Sequence, residues 1–258
     1  MTDRPRRPAR PQITLEVLST HRLSPHLVRL VLGGDGFASF TSNGFTDRYV
    51  KISFAQPGTE RPATRTYTVR EVNEAERWLA IDFVVHGDEG LAGPWAASAV
   101  RGDRVVLTGP GGGYAPDPTA DWHLLVGDES ALPAIAAALE ALPEDAQGDA
   151  FVEVVGPDDE VPLTAPRGVE LRWVHRGPTA DGTRSLLADA VAAAPWRSGR
   201  VHAFVHGERE SVKALRDVVL DQRGVAREQL SISGYWARGR AEDRFQAEKR
   251  EPIGQILP

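Results

Sequence analysis

The rhythm of the chain changes once, and that change limits the fold more than any other feature. Residues 115–121 read Ala-Pro-Asp-Pro-Thr-Ala-Asp, where two prolines and the aspartates mark a linker. Before it come six short alternating apolar runs: 13–17, 27–32, 49–54, 66–69, 78–85 and 104–108. Turn residues such as Gly33-Gly34-Asp35-Gly36 and Gly102-Asp103 separate them. Short strands with frequent turns predict a small antiparallel barrel or sandwich, here a six-stranded β-barrel. After the linker, apolar runs at 122–126, 150–155, 169–174, 201–205 and 229–233 alternate with helical stretches at 130–142, 184–194 and 211–222. Alternating strands and helices predict an open parallel α/β sheet. The organisation read from this is a disordered lead at 1–11, a barrel domain at 12–116 and an α/β domain at 117–258.

Several function classes drop out on composition. The chain has 258 residues, no cysteine and a net charge of −6. A disulfide framework, a Cys-ligated zinc and a thiolate-held iron–sulfur cluster are excluded. No overall basic field draws nucleic acid. No apolar run approaches the roughly 20 residues that span a bilayer. The basic, Pro-rich start lacks the apolar core of a secretory signal, so a cytoplasmic, monomeric protein is expected. The seven histidines show no metal-ligand spacing.

Four stretches carry candidate chemistry. In Arg65-Thr66-Tyr67-Thr68-Val69-Arg70, a regular strand would point Arg65 and Tyr67 one way and Thr66 and Thr68 the other. An arginine that can clamp phosphate, two residues from a flat aromatic, suits a ligand with a diphosphate at one end and a planar ring at the other. A second stretch runs from Asp82-Phe83-Val84 through His86-Gly87 into the small residues Gly90, Ala92, Gly93 and Ala96 around Trp95. Small residues let backbone N–H groups approach a ligand. In the third, Gly127-Asp128-Glu129-Ser130-Ala131 fills the first strand-to-helix turn of the sheet, where a nucleotide would sit, although the Gly-x-Gly-x-x-Gly fingerprint is absent. In the fourth, Tyr235 and Trp236 precede Arg238 and Arg240 at the end of the last strand, pairing stacking surface with positive charge.

Together, in this order and spacing, these stretches resemble the siderophore-interacting protein family, FAD-binding ferric-siderophore reductases related to the ferredoxin reductases. The resemblance runs from about residue 12 to 249. It implies that Arg65 meets the FAD diphosphate, Tyr67 the flavin face and Thr68 the isoalloxazine edge. It implies that the loop from His86-Gly87 to Ala96 covers the flavin, and that the turn at 127–131 receives NADH or NADPH. Lys51, with Arg238 and Arg240, is implied to hold an anionic ferric chelate. The chain departs from the family pattern at Gly111-Gly112-Gly113, where relatives often carry Arg after Gly-Pro, and at Gly207, where they often carry Ala. The activity so implied is NAD(P)H-dependent reduction of a ferric siderophore through FAD. Two alternatives are a non-catalytic carrier of iron chelate and a flavin reductase exchanging electrons with a ferredoxin. Arg209 lies near a strand end where a 2′-phosphate could bind, but no arginine cluster marks NADPH over NADH.

Overall fold

The computed structural model describes residues 11–56, 58–59, 61–86, 90–178 and 185–257. Gly87 of the second stretch, residues 1–10 of the lead and the start of the stretch expected to be helical at 184–194 lie outside the described residues.

Six strands close into an antiparallel barrel in the order β1-β2-β5-β4-β3-β6. They are β1 (Gln12–Ser24), β2 (Leu27–Gly33), β3 (Tyr49–Phe54), β4 (Ala63–Asn73), β5 (Trp78–Val84) and β6 (Arg104–Gly111). The alternation that predicts them is also what fills the barrel. Ile13, Leu15 and Val17 of β1, Val28, Leu30 and Leu32 of β2, and Leu79, Ile81 and Phe83 of β5 are all buried in one cluster. Full burial of such side chains stabilises by roughly 1.5–3 kcal/mol each. The seven-residue helix α1 (Ala92–Ser98) follows β5 and presses Ala92, Ala96 and Trp95 onto this core.

Five parallel strands form the sheet, in the order β11-β10-β7-β8-β9. They are β7 (Trp122–Asp128), β8 (Gln147–Val154), β9 (Gly168–His175), β10 (Val201–Glu208) and β11 (Leu230–Trp236). The alanine-rich helix α2 (Leu132–Ala141) covers the face turned toward the barrel, and its residues share a core with Leu27 and Tyr114. Helices α3 (Leu186–Ala193) and α4 (Arg209–Arg216), the latter running on into a π-helical turn at Asp217–Gln222, cover the opposite face. The expected helix at 211–222 is therefore this α-to-π run, begun two residues early. Its first turn is capped by the Glu208 carboxylate, which accepts from the backbone of Glu210 at 2.7 Å and Ser211 at 3.0 Å. A last helix, α5 (Glu242–Glu248), follows β11.

The barrel and the sheet meet along a polar seam. Arg70 of β4 forms a two-pronged ion pair with Glu140 of α2. Asp159, 4 % exposed, accepts from the Ser24 hydroxyl at 3.0 Å and the His26 backbone at 3.2 Å, and its carboxylate also meets the His26 ring at 2.9 Å. No helix among the described residues is long and apolar enough to cross a membrane.

Candidate functional site

The strand β4 runs along the seam and brings its residues to it in an irregular way. Alternation holds through Tyr67 and then fails, for Thr68 and Val69 are both buried and the pairing with β5 shifts register between Val69 and Glu71. Thr68 comes close to the Tyr235 side chain at the end of β11, so a barrel strand and a sheet strand meet at that point. Tyr67 packs its ring on Phe83 at 4.3 Å between centroids, and Phe83 meets Trp95 of α1 edge-on at 5.8 Å. Burial pushes the Tyr67 and Tyr235 hydroxyls up, so both stay neutral at ordinary pH.

Arg65 is the least committed of the buried cations here. Its side chain is 15 % exposed, yet its partners are the carbonyl of its neighbour Thr64 at 2.9 Å and Asp243 of α5 at 3.5 Å. Asp243 is well exposed, so water screens that pair. A guanidinium held in place with most of its donors unclaimed fits a phosphate, which takes two parallel N–H bonds. With a ring face beside it at Tyr67, the donor set fits an FAD. Thr66 is exposed on the opposite side of the strand. Lys51 is the cross-strand partner of Thr66. Lys249 stands over the Phe245 ring at 4.8 Å. Its ammonium is held below its usual range chiefly by burial, and Lys51 lowers it further, so two cations share this edge.

Other residues of the second stretch have structural partners. Asp82 accepts from the cross-strand Arg29 at 2.6 and 2.8 Å. Val84 joins the sheet core, and Ala92 and Ala96 are buried against the barrel. His86 and Gly90 are exposed at the loop, and Gly93 is half-buried in α1.

On the sheet the strand order reverses between β7 and β10, and the crevice at their carboxyl ends is where open α/β sheets take ligands. Asp128 organises it. One carboxylate oxygen accepts from the backbone of Ser130 at 2.9 Å and from its hydroxyl at 2.5 Å. The other accepts from the backbone of Glu208 at 2.8 Å and from the Trp236 indole at 2.8 Å. Close approach here requires glycine twice. A Cβ on Gly127 would lie 2.5 Å from that of Ala131, and one on Gly207, whose φ is +145°, would lie 2.9 Å from the Asp128 carboxyl carbon.

Beside Asp128, the buried Glu129 meets Arg176 through both of its oxygens at 2.6 and 2.7 Å, and Glu153 at the end of β8 lies 3.9 Å from the same guanidinium. Burial first, then the Asp128 and Glu129 carboxylates, push Glu153 up to about 7. Arg238 stacks over Trp236 at 5.9 Å, and its backbone N–H donates to Glu208 at 3.1 Å. Arg240 bonds Glu248 at 2.9 Å, and so does the buried Arg209 at 2.6 Å, which places both on the α5 side. Thus Arg65 and Tyr67 share one face of β4 and Thr68, next along it, meets Tyr235 at the seam, while Asp128, Glu129, Ser130 and Trp236 gather at the crevice. Arg70 and Asp82 hold the scaffold. Glu153, Arg176 and Lys249 were not singled out from the sequence. The strand-end rule that pointed to Gly127 and Asp128 would have reached Glu153 and Arg176 had it been applied to side chains as well as to turns.

A family model for the siderophore-interacting FAD-binding domain matches residues 16–63 and 54–114, and one for the siderophore-interacting protein matches 120–239. An uncharacterized protein of Mycobacterium tuberculosis is 51% identical over 94% of this chain and 96% of its own length. The ferric vibriobactin reductase ViuB of Vibrio cholerae is 33% identical over 91% of this chain and 93% of its own. The crystal structure of a siderophore utilization protein from T. fusca superposes with a TM-score of 0.82 at 37% identity, covering 90% of this chain and 94% of that one. With both of its halves matched and the relatives covered almost end to end, this chain belongs to the siderophore-interacting protein family.

Proposed function

We propose that the protein is an FAD-dependent reductase of ferric siderophores that draws its electrons from a nicotinamide nucleotide and releases iron as Fe(II). The observation that carries this reading is the pairing of two sites at one seam. A loosely held arginine and an aromatic face lie on β4, and a strand-end crevice opens on the sheet beyond Tyr235. The name of the 33% identical reductase supports the substrate class.

In this reading Arg65 presents its free N–H groups to the diphosphate, and Tyr67 offers its ring beside the isoalloxazine. FAD, when bound, supplies the capacity to accept two electrons and release them one at a time. Thr68 and Tyr235 stand where the two halves meet. Lys51 and Lys249 make a local positive edge on a net-acidic protein and draw an anionic chelate to it. Hard oxygen donors hold Fe(III) far better than Fe(II), so reduction loosens the metal and leaves the chelator intact. The protein needs no iron ligand of its own.

The test is Arg65→Ala. Its present partners are weak, so the variant folds. We expect FAD affinity to fall by about tenfold or more, with most of the yellow colour lost on dialysis. Full flavin occupancy in the variant would remove Arg65 from the cofactor site.

A further inference from the structure

We propose that the crevice of the sheet is built for a nicotinamide dinucleotide whose adenosine ribose carries free hydroxyls, NADH, and against its 2′-phosphorylated form, with Glu129, Glu153 and Arg176 setting the preference. This rests on the reading above that a nicotinamide nucleotide binds at the sheet.

The argument starts from topology. A dinucleotide laid across the switch point between β7 and β10 extends its adenosine half over the neighbouring strand on the β7 side, which is β8. In such sheets a carboxylate at the end of that strand accepts from the ribose hydroxyls, whereas a nearby arginine receives a 2′-phosphate. Both residue types stand here, Glu153 on β8 and Arg176 just past the end of β9. The question is which of them is open to a ligand.

Arg176 is already claimed. Glu129 accepts a hydrogen bond from one of its nitrogens at 2.7 Å and stands 2.6 Å from a second as an ion pair, and Glu153 lies 3.9 Å away. A phosphate could take the guanidinium only by displacing Glu129, whose side chain is 8 % exposed, and would strand that carboxylate without a partner. It would also sit beside Glu153 and Asp128, adding two negative charges where three carboxyl groups already crowd. Glu153 is pushed up first by burial and then by Asp128 and Glu129, so both the loss of water and the neighbouring carboxyl groups disfavour a further negative charge there. A ribose diol brings no charge and donates hydrogen bonds, which a carboxylate can only accept. Among the described residues, Arg209 and Arg238 are the other arginines near the crevice, and Arg238 offsets only part of the charge around Glu153. Arg209 is buried against Glu248, and Arg238 stacks over Trp236 beside the switch point.

The experiment uses the full-length FAD-loaded protein. Rates of flavin reduction are measured with NADH and with NADPH, and binding of ADP and of 2′,5′-ADP is measured by calorimetry. NADH should be favoured in kcat/KM by about tenfold or more, and 2′,5′-ADP should bind about tenfold more weakly than ADP. Glu153→Gln and Glu129→Gln should each move both ratios toward the phosphorylated ligand by about three- to tenfold, because each removes a charge while keeping the shape. If Glu129→Gln fails to fold, Glu153→Gln, on a less buried side chain, decides alone. NADPH used as well as NADH, or ratios unmoved in the folded variants, overturns the proposal. Should ADP outbind 2′,5′-ADP while neither dinucleotide reduces the flavin, the preference stands and the electron donor of the proposed function falls. Should neither analogue bind, both fall.

Discussion

Arg65 on the barrel and Asp128 on the sheet are both charged, both largely buried and both at the seam, yet they are held in opposite ways. Asp128 accepts four hydrogen bonds from three elements, and every one is between 2.5 and 2.9 Å. Arg65 has one backbone carbonyl and one distant, exposed carboxylate. The first arrangement is complete without a ligand and fixes the shape of a crevice. The second is incomplete and leaves donors for something to arrive. A binding site can thus be split between a rigid half that gives shape and an open half that gives charge.

The comparison breaks first at Asp128. Asp128→Ala should destabilise by about 2–4 kcal/mol in urea unfolding, because the buried Glu208 amide and the part-buried Ser130 and Trp236 donors all lose their acceptor. A loss under 1 kcal/mol would show that the crevice does not depend on it. A smaller effect is expected from Glu153. Its carboxyl is raised in the folded state, so the folded protein holds a proton that the unfolded chain has released between its ordinary value and about 7. Stability should therefore fall as pH rises through that window, by an amount on the order of 1–3 kcal/mol, and Glu153→Gln should flatten that slope. Thermal melts of both proteins across pH 4–8 measure it, and parallel curves would count against the shift. The smallest effect belongs to Arg70. Its partner Glu140 is 42 % exposed, so Arg70→Ala should cost about 1 kcal/mol or less. If it instead cost FAD, the guanidinium would belong to the open half of the site with Arg65.

The regular elements were legible because their apolar periods are regular. Each of the six alternating runs became a barrel strand, and each apolar run after the linker became a sheet strand. What escaped has no such period. Helix α5 buries only Phe245 and Glu248 of its seven residues, so no apolar stripe announces it. It is held by charge, with Glu248 between Arg209, Arg240 and Arg244. The second half of β1 was missed for the same reason, since Thr20, His21 and Arg22 are exposed there and the strand persists through pairing with β2. In the candidate site, Arg65, Tyr67 and Asp128 could be picked out by residue type and place. Their partners could not. Arg176 follows a different strand from the one that Glu129 follows, and Glu140 lies on a different layer from Arg70, and only the folded chain joins them.

Closure of the barrel has a consequence for how this molecule meets copies of itself. A ring of six strands has no first or last member, so that half offers no backbone ladder for a stray strand to extend. Whatever tendency to edge-on association the protein has must fall to the borders of the open sheet. At one border, β9, Arg172 is tied to Glu170 on its own strand and reaches the Asp149 carboxylate on β8, a charged fringe that an incoming strand would have to strip of water before it could pair.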